Sequence, residues 1–122
     1  ENMTNKIVFT GRVSDYELSV LYSQAKLFVC SSLYEGFGLP ILEAMKCGTP
    51  VISYNNSSLP EVVGGAGILV NNIDDLSRAM EEVLVNEKLQ AKLKSLGLKH
   101  AALYSWEKTA SAFLAILPKN VN

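Results

Sequence analysis

Glu35 and Glu43 are two carboxylates separated by Gly36-Phe37-Gly38-Leu39-Pro40-Ile41-Leu42. Carboxylates accept short, charge-assisted hydrogen bonds, and a vicinal diol can supply two of them at once. Gly36 and Gly38 permit backbone geometry that a Cβ resists, and they let a ligand approach the main chain closely. Pro40 suits the first helical turn, where its missing N–H is one the helix would leave unpaired. A helix N-terminus offers free amides and the positive end of the helix dipole, a setting made for phosphate. The stretch therefore asks for a ligand with a phosphate and with hydroxyls in reach of two carboxylates. A nucleotide sugar meets both demands.

These residues need a scaffold, and the flanking sequence predicts one. Leu27-Phe28-Val29-Cys30 reads as a buried strand that delivers the chain to Ser31, and Ala44, Met45 and Gly48 give a short helix with a glycine stop. In an open parallel sheet, a strand, a glycine turn and a helix N-terminus in that order mark the ligand crevice beyond the strand's carboxyl end. Upstream, Ile7-Val8-Phe9 predicts a strand ending at Thr10-Gly11. Ser14 with Glu17 forms a capping box for a helix carrying Leu18, Leu21, Tyr22 and Ala25 on one face. Downstream, Thr49-Pro50 opens a strand over Val51–Tyr54, Asn55–Ser58 is a loop, and Pro60-Glu61 begin a single helical turn. Gly64, Gly65 and Gly67 break that turn before a short strand ending at Val70. Asn72 caps a helix striped by Ile73, Leu76, Met80, Val83 and Leu84, and Asn86 separates it from a helix with Leu89, Leu93, Leu96 and Leu103. Ser105 caps a last helix in which Trp106, Ala110, Phe113, Leu114 and Leu117 share a face. Strands alternate with helices and then helices stand alone over 87–117, which predicts an α/β fold with a parallel sheet and a helical C-terminal tail.

At 122 residues the chain makes one domain, and 48% hydrophobic with 19% charged residues marks a globular protein. A formal net charge of −1 supplies no basic footprint, which argues against nucleic acid as a partner. No apolar run approaches the ~20 residues of a spanning helix, and residues 1–5 lack the charged-then-apolar pattern of a signal peptide. Cys30 and Cys47 lack metal-ligand spacing and read as reduced, buried thiols of a cytosolic protein.

Glu35 and Glu43 with their seven intervening residues resemble the E-x7-E motif of retaining GT-B glycosyltransferases of the group 1 type. The flanks extend the resemblance. Val8-Phe9-Thr10-Gly11-Arg12-Val13-Ser14-Asp15 is similar to the strand and turn that precede the motif, and Gly48–Ile52 and Ser58–Val63 to the segments that follow. The resemblance implies a fold, a partial Rossmann-like parallel sheet from the later half of the GT-B C-terminal domain. Residues 1–122 would form that single partial nucleotide-sugar-binding domain, and residues 1–5 a leader or truncation point.

It also implies roles. Glu43 would accept hydrogen bonds from the ribose of the donor nucleotide, and Glu35, the catalytic carboxylate of the pair, would hold hydroxyls of the transferred sugar. The amides of Phe37, Gly38 and Leu39 would face the sugar and those of Ile41 and Leu42 the diphosphate, with Gly36 in the same turn. Val13 and Asp15 fall where family members touch the nucleobase. Asp15 can pair with the N–H groups of guanine, which favours a GDP-sugar such as GDP-mannose over a UDP-sugar. The reaction implied is hexosyl transfer with retention, to a glycan or lipid-linked acceptor in polysaccharide or lipopolysaccharide biosynthesis. No cofactor and no metal are expected; the nucleotide diphosphate sugar is a substrate. The full-length enzyme would be cytoplasmic, working at the inner membrane face.

The sequence departs from the family pattern in one respect. Leaving-group charge is usually met by an arginine–lysine pair, yet Arg12 and Arg78 are the only arginines and neither has a lysine within the next six residues. The pair and the acceptor-binding N-terminal domain are expected upstream, so the isolated chain is expected to be inactive, with a sheet edge open to self-association. A response-regulator receiver domain of similar length is excluded, because Val8–Val13 holds no acidic pair and Val51–Asn56 no aspartate. A GT-B nucleotide-sugar epimerase fits the Ser58–Val63 segment less well. A non-catalytic nucleotide-binding or partner-binding remnant stays open. Outside the motif, His100 reads as a surface residue, Trp106 as a packing anchor, and Ser57 and Ser58 equally as loop polarity or as groups that reach the donor.

Overall fold

Three apolar runs become strands, and each leads into a helix that covers the sheet. In the computed structural model, which describes residues 3–117, β1 (Phe28–Cys30), β2 (Val51–Tyr54) and β3 (Ile68–Val70) form a parallel sheet in that order. Val29 lies opposite Ile52, and Ser53 opposite Leu69. The helices are α1 (Asp15–Gln24), α2 (Leu39–Lys46), α3 (Leu59–Val63), α4 (Ile73–Val85), α5 (Glu87–Ala101) and α6 (Trp106–Ile116). Parallel neighbours require crossovers, and α2 and α3 supply them between β1 and β2 and between β2 and β3.

Alternation along β2 divides the core in two, as a period of two dictates. Val51 joins Tyr22, Ile41, Met45, Leu59 and Val63 in one cluster, whereas Ile52 joins Val70, Leu76, Val83 and Leu93 in the other. Helix α5 seats on α2 through Gly97: a Cβ there would stand 3.2 Å from Met45 Cγ. Helix starts follow the sequence closely. Ser14 Oγ accepts from the Glu17 N–H while Glu17 accepts from the Ser14 N–H, and these bonds hold the Glu17 carboxyl below its ordinary range. Asn72, Asn86 and Ser105 cap α4, α5 and α6, each side chain accepting from the N–H three residues on.

Two expectations are corrected. Ile7-Val8-Phe9 is not a strand, so the sheet has three strands among the described residues rather than four. Val8 and Phe9 stand 82% and 94% exposed. A strand is stabilised by its neighbours, and three residues without ladder bonds cannot offset the entropy of ordering them. The other correction concerns packing. Helix α6 forms with its apolar residues on it, but Trp106, Phe113 and Leu114 stay exposed. Leu103 lies past the end of α5 and is exposed, and so are Ile73 and Leu84 at the margins of α4. Of the leader at 1–5, residues 1 and 2 lie outside the described residues, and Thr4–Lys6 form a 3-10 turn. No helix among the described residues is long and apolar enough to cross a membrane.

Candidate functional site

Strand β1 ends at Cys30 and releases the chain into the turn that carries both carboxylates. Glu35 is half-buried. Its Oε1 accepts from Ser32 Oγ at 2.7 Å, and its main-chain carbonyl accepts from Ser57 Oγ at 2.8 Å and Ser58 Oγ at 3.3 Å. Asn56 Nδ2 donates to the Ser32 carbonyl at 3.3 Å, so the loop after β2 grips the loop after β1 at two points. Asn56 Oδ1 is buried with no hydrogen-bond partner among the described residues. From the sequence, Ser57 and Ser58 read equally as loop polarity or as groups that reach the donor. Their Oγ atoms instead fix the backbone of Glu35, a role that becomes visible only when the two loops meet.

Gly38 precedes α2 with φ +87° and ψ 38°, the left-handed region that favours glycine. Its carbonyl accepts from the Ile41 N–H at 3.0 Å, so that amide is engaged within the first turn of the helix. The side chains of Ile41 and Leu42 point into the core. Gly36 is different: its φ is not left-handed, and a Cβ there would meet nothing within 4 Å. The main chain at Gly36 is thus open to approach from outside.

Glu43 stands exposed on α2, one helical turn and a residue past Gly38. Its Oε2 accepts from Tyr22 Oη at 3.3 Å. Tyr22 is a buried residue of α1, with its ring edge-on to Phe28 at 5.4 Å and its carbonyl accepting from Thr49 Oγ1. Burial first, and the Glu43 charge second, push the Tyr22 hydroxyl up to about 12. It therefore remains a donor to Glu43 throughout the neutral range. Tyr22 is the site residue that sequence reading missed, having been placed only on the apolar face of its helix. The available signal was chemical: a buried tyrosine needs a partner for its O–H.

The raised value predicts a pH effect. The folded state holds the Tyr22 proton more tightly than the unfolded chain, whose tyrosines ionise near the ordinary value of 10.0. The stability tied to that proton is full below pH 10.0 and is lost as pH rises through about 12. Urea unfolding at a series of alkaline pH values is expected to show this loss in the parent chain and a smaller one in Tyr22→Phe. Identical slopes would contradict it.

The structure gathers some of the expected residues and separates others. Phe37, Leu39, Leu42 and Glu43 line a cavity of about 370 Å³ between α2 and the start of α6, together with Lys46 and Trp106. Trp106 is 76% exposed and borders this cavity, so it is not the packing anchor its helix-start position suggested. Val13 is half-buried and Asp15 exposed at the first turn of α1, about 10 Å along the helix from Tyr22 at 1.5 Å rise per residue. His100, expected at the surface, is half-buried, with Nε2 2.7 Å from the Val62 carbonyl oxygen. Both cysteines are free thiols, Cys30 buried and Cys47 half-buried.

Comparison with known proteins identifies the family and the fold. The family model described as glycosyl transferases group 1 matches residues 1–100. The serotype-specific mannosyltransferase WbdA of Escherichia coli is 44% identical over 108 residues, covering 87% of this chain and 13% of that protein. The O-antigen chain mannosyltransferase B of Escherichia coli is 46% identical over 103 residues, covering 83% of this chain and 27% of that protein. Among solved structures, sucrose-phosphate synthase from Thermosynechococcus elongatus superposes with a TM-score of 0.82 at 31% identity, over 93% of this chain and 30% of its own. The chain thus spans between about an eighth and a third of the proteins it matches. With its parallel α/β sheet of the GT-B, Rossmann-like kind, the chain belongs to the glycosyl transferases group 1 family.

Proposed function

We propose that this chain is the donor-binding part of a retaining glycosyltransferase that transfers a hexosyl unit, mannosyl foremost, from a nucleotide sugar to a glycan or lipid-linked acceptor. The observation that carries the reading is the turn from Glu35 to Glu43. It sets a carboxylate fixed by Ser32, an unobstructed Gly36, a helix start and an exposed carboxylate in one short segment. Glu43, oriented by the Tyr22 hydroxyl, takes the ribose diol, and Glu35 takes hydroxyls of the transferred sugar. The amides of Phe37, Gly38 and Leu39 face the sugar. The diphosphate meets the helix dipole at the start of α2, with the Ile41 and Leu42 N–H groups each sharing its hydrogen between the helix and the ligand. Two mannosyltransferases among the relatives support mannose, and Asp15 beside Val13 supports guanine.

The bond from the anomeric carbon to the diphosphate oxygen breaks through an oxocarbenium-like transition state, and its electron pair leaves with the diphosphate. The acceptor oxygen bonds the same face and passes its proton to the departing diphosphate oxygen. Stabilising the departing charge is the main task. Arg78, engaged with Asp75 on α4, and Arg12 do not make the cationic pair this needs. The 122-residue chain is therefore expected to transfer no sugar from GDP-mannose to a glycan or lipid acceptor, and detectable turnover by the purified chain would refute that. Among the described residues no strand pairs with the outer edge of β1, and self-association through that edge is part of the same proposal.

Trp106 is the sole tryptophan and borders the cavity beside Glu43, so its fluorescence is a local reporter of occupancy. Titration with GDP, UDP and ADP is expected to change that emission, and to chemically shift the amides of residues 36–39, most strongly for GDP. A folded chain that binds none of the three would sink the proposal.

A further inference from the structure

We propose that His100 is a positioning residue for the Gly36-Phe37-Gly38 turn, acting through Tyr104 and Phe37; as a statement about donor binding, this rests on the function proposed above. The His100 ring is fixed at two points. Its Nε2 lies 2.7 Å from the carbonyl oxygen of Val62, near the end of α3, and it covers the backbone of Gly64 so closely that a Cβ there would fall 2.1 Å from His100 Cε1. Gly64 has φ +55°, so glycine is favoured there both by conformation and by the ring above it. An edge-to-face contact then joins His100 to Tyr104, with ring centroids 5.4 Å apart and planes at 66°. Tyr104 makes a second such contact with Phe37, at 6.2 Å and 71°. The series runs from the core side of α3, over the end of α5, to the turn between the two glutamates.

Phe37 needs this support. It lies between two glycines in a turn with no regular structure, 48% exposed, and its main chain is expected to face the transferred sugar. A side chain anchored on one side restricts the backbone of such a turn, and fewer accessible conformers mean less entropy lost when a ligand binds. His100 itself sits on a well-held element: Leu93, Gly97 and Ala101 of α5 are buried. Nothing in the spacing of residues 37 and 100 hints at the connection. Tyr104 lies in the loop after α5, and only the fold of that loop brings its ring between the other two.

The test is a double-mutant cycle on the 122-residue chain, with His100→Ala, Phe37→Ala and the double variant, and with His100→Phe as the ring-preserving control. In the ligand-free chain, the amide resonances of residues 36–38 are expected to move on His100→Ala and to move less on His100→Phe. Resonances that stay put would overturn the proposal whether or not any nucleotide binds. With GDP-mannose as the titrant, whose sugar the turn is expected to face, His100→Ala is expected to weaken binding about threefold to tenfold, the range that loss of one aromatic pair converts to. That effect is expected to vanish in the Phe37→Ala background, because His100 acts through Phe37. Equal losses in both backgrounds would reduce His100 to a general stabiliser of the fold and overturn its positioning role. If the parent chain binds no GDP-mannose at all, the donor-binding reading fails while the resonance test of coupling still decides between the two structural outcomes.

Discussion

Glu43→Ala is expected to weaken GDP binding about 100-fold while leaving the fold intact, because two charge-assisted hydrogen bonds to a ribose diol are lost together. Each such bond contributes roughly 1.5–3 kcal/mol, and the lower end of that range, doubled, already amounts to about 3 kcal/mol. The fold is spared because Glu43 is exposed and alanine is a better helix former than glutamate. The part-buried Tyr22 hydroxyl loses its acceptor, a local cost that thermal unfolding reads separately from binding. Glu43→Gln separates charge from shape, since it keeps the size of the side chain and one acceptor oxygen. It is expected to lose less than the alanine variant. Calorimetric titration of both variants, beside thermal unfolding, checks the prediction. Unchanged GDP affinity in a folded Glu43→Ala chain would remove Glu43 from the site.

Gly38→Ala and Gly36→Ala are expected to separate stability from binding within one turn. Gly38 has φ +87°, where an L-residue costs roughly 1–2 kcal/mol. A Cβ there would also stand 3.1 Å from Leu59 Cδ2, and Leu59 is fully buried, so the neighbour has little room to give. Gly38→Ala is expected to lower the unfolding free energy by about 2 kcal/mol, a large part of the 5–15 kcal/mol typical of a domain. Gly36 meets neither difficulty, since its φ is not left-handed and the space beside it is open. Gly36→Ala is expected to stay within about 0.5 kcal/mol of the parent in urea unfolding. Its methyl group would instead project where a sugar approaches the main chain, so GDP-mannose affinity is expected to fall while that of GDP changes less. Equal destabilisation by the two substitutions would contradict the geometry of the turn.

Much of this molecule was legible without coordinates. The strand at 28–30, the capped helix starts at Ser14, Asn72 and Ser105, the helix break at Asn86 and the proline-led helix after Gly38 all follow from local chemistry. Local signals succeed there because a cap satisfies amides within three residues of itself, and because a buried parallel strand reads as an apolar run. The same reading placed a strand at Ile7–Phe9, where strand chemistry is present but a pairing neighbour is not. Pairing is a long-range property, and no run of three residues encodes its own partner.

The site divides along the same line. By itself the sequence determined the motif from Glu35 to Glu43, the helix start between them and the family they indicate. The tertiary structure alone decided which groups hold that motif in place. Tyr22 reaches Glu43 across 21 positions, Ser57 reaches the Glu35 carbonyl across 22, and His100 reaches Val62 across 38. Each of these side chains has an unremarkable local context, so periodicity and propensity assign it to a helix face, a loop or the surface. Its role arises from a distance between elements, which is fixed when β2 pairs beside β1 and α5 seats on α2 through Gly97, and not by the residues on either side of it in the chain.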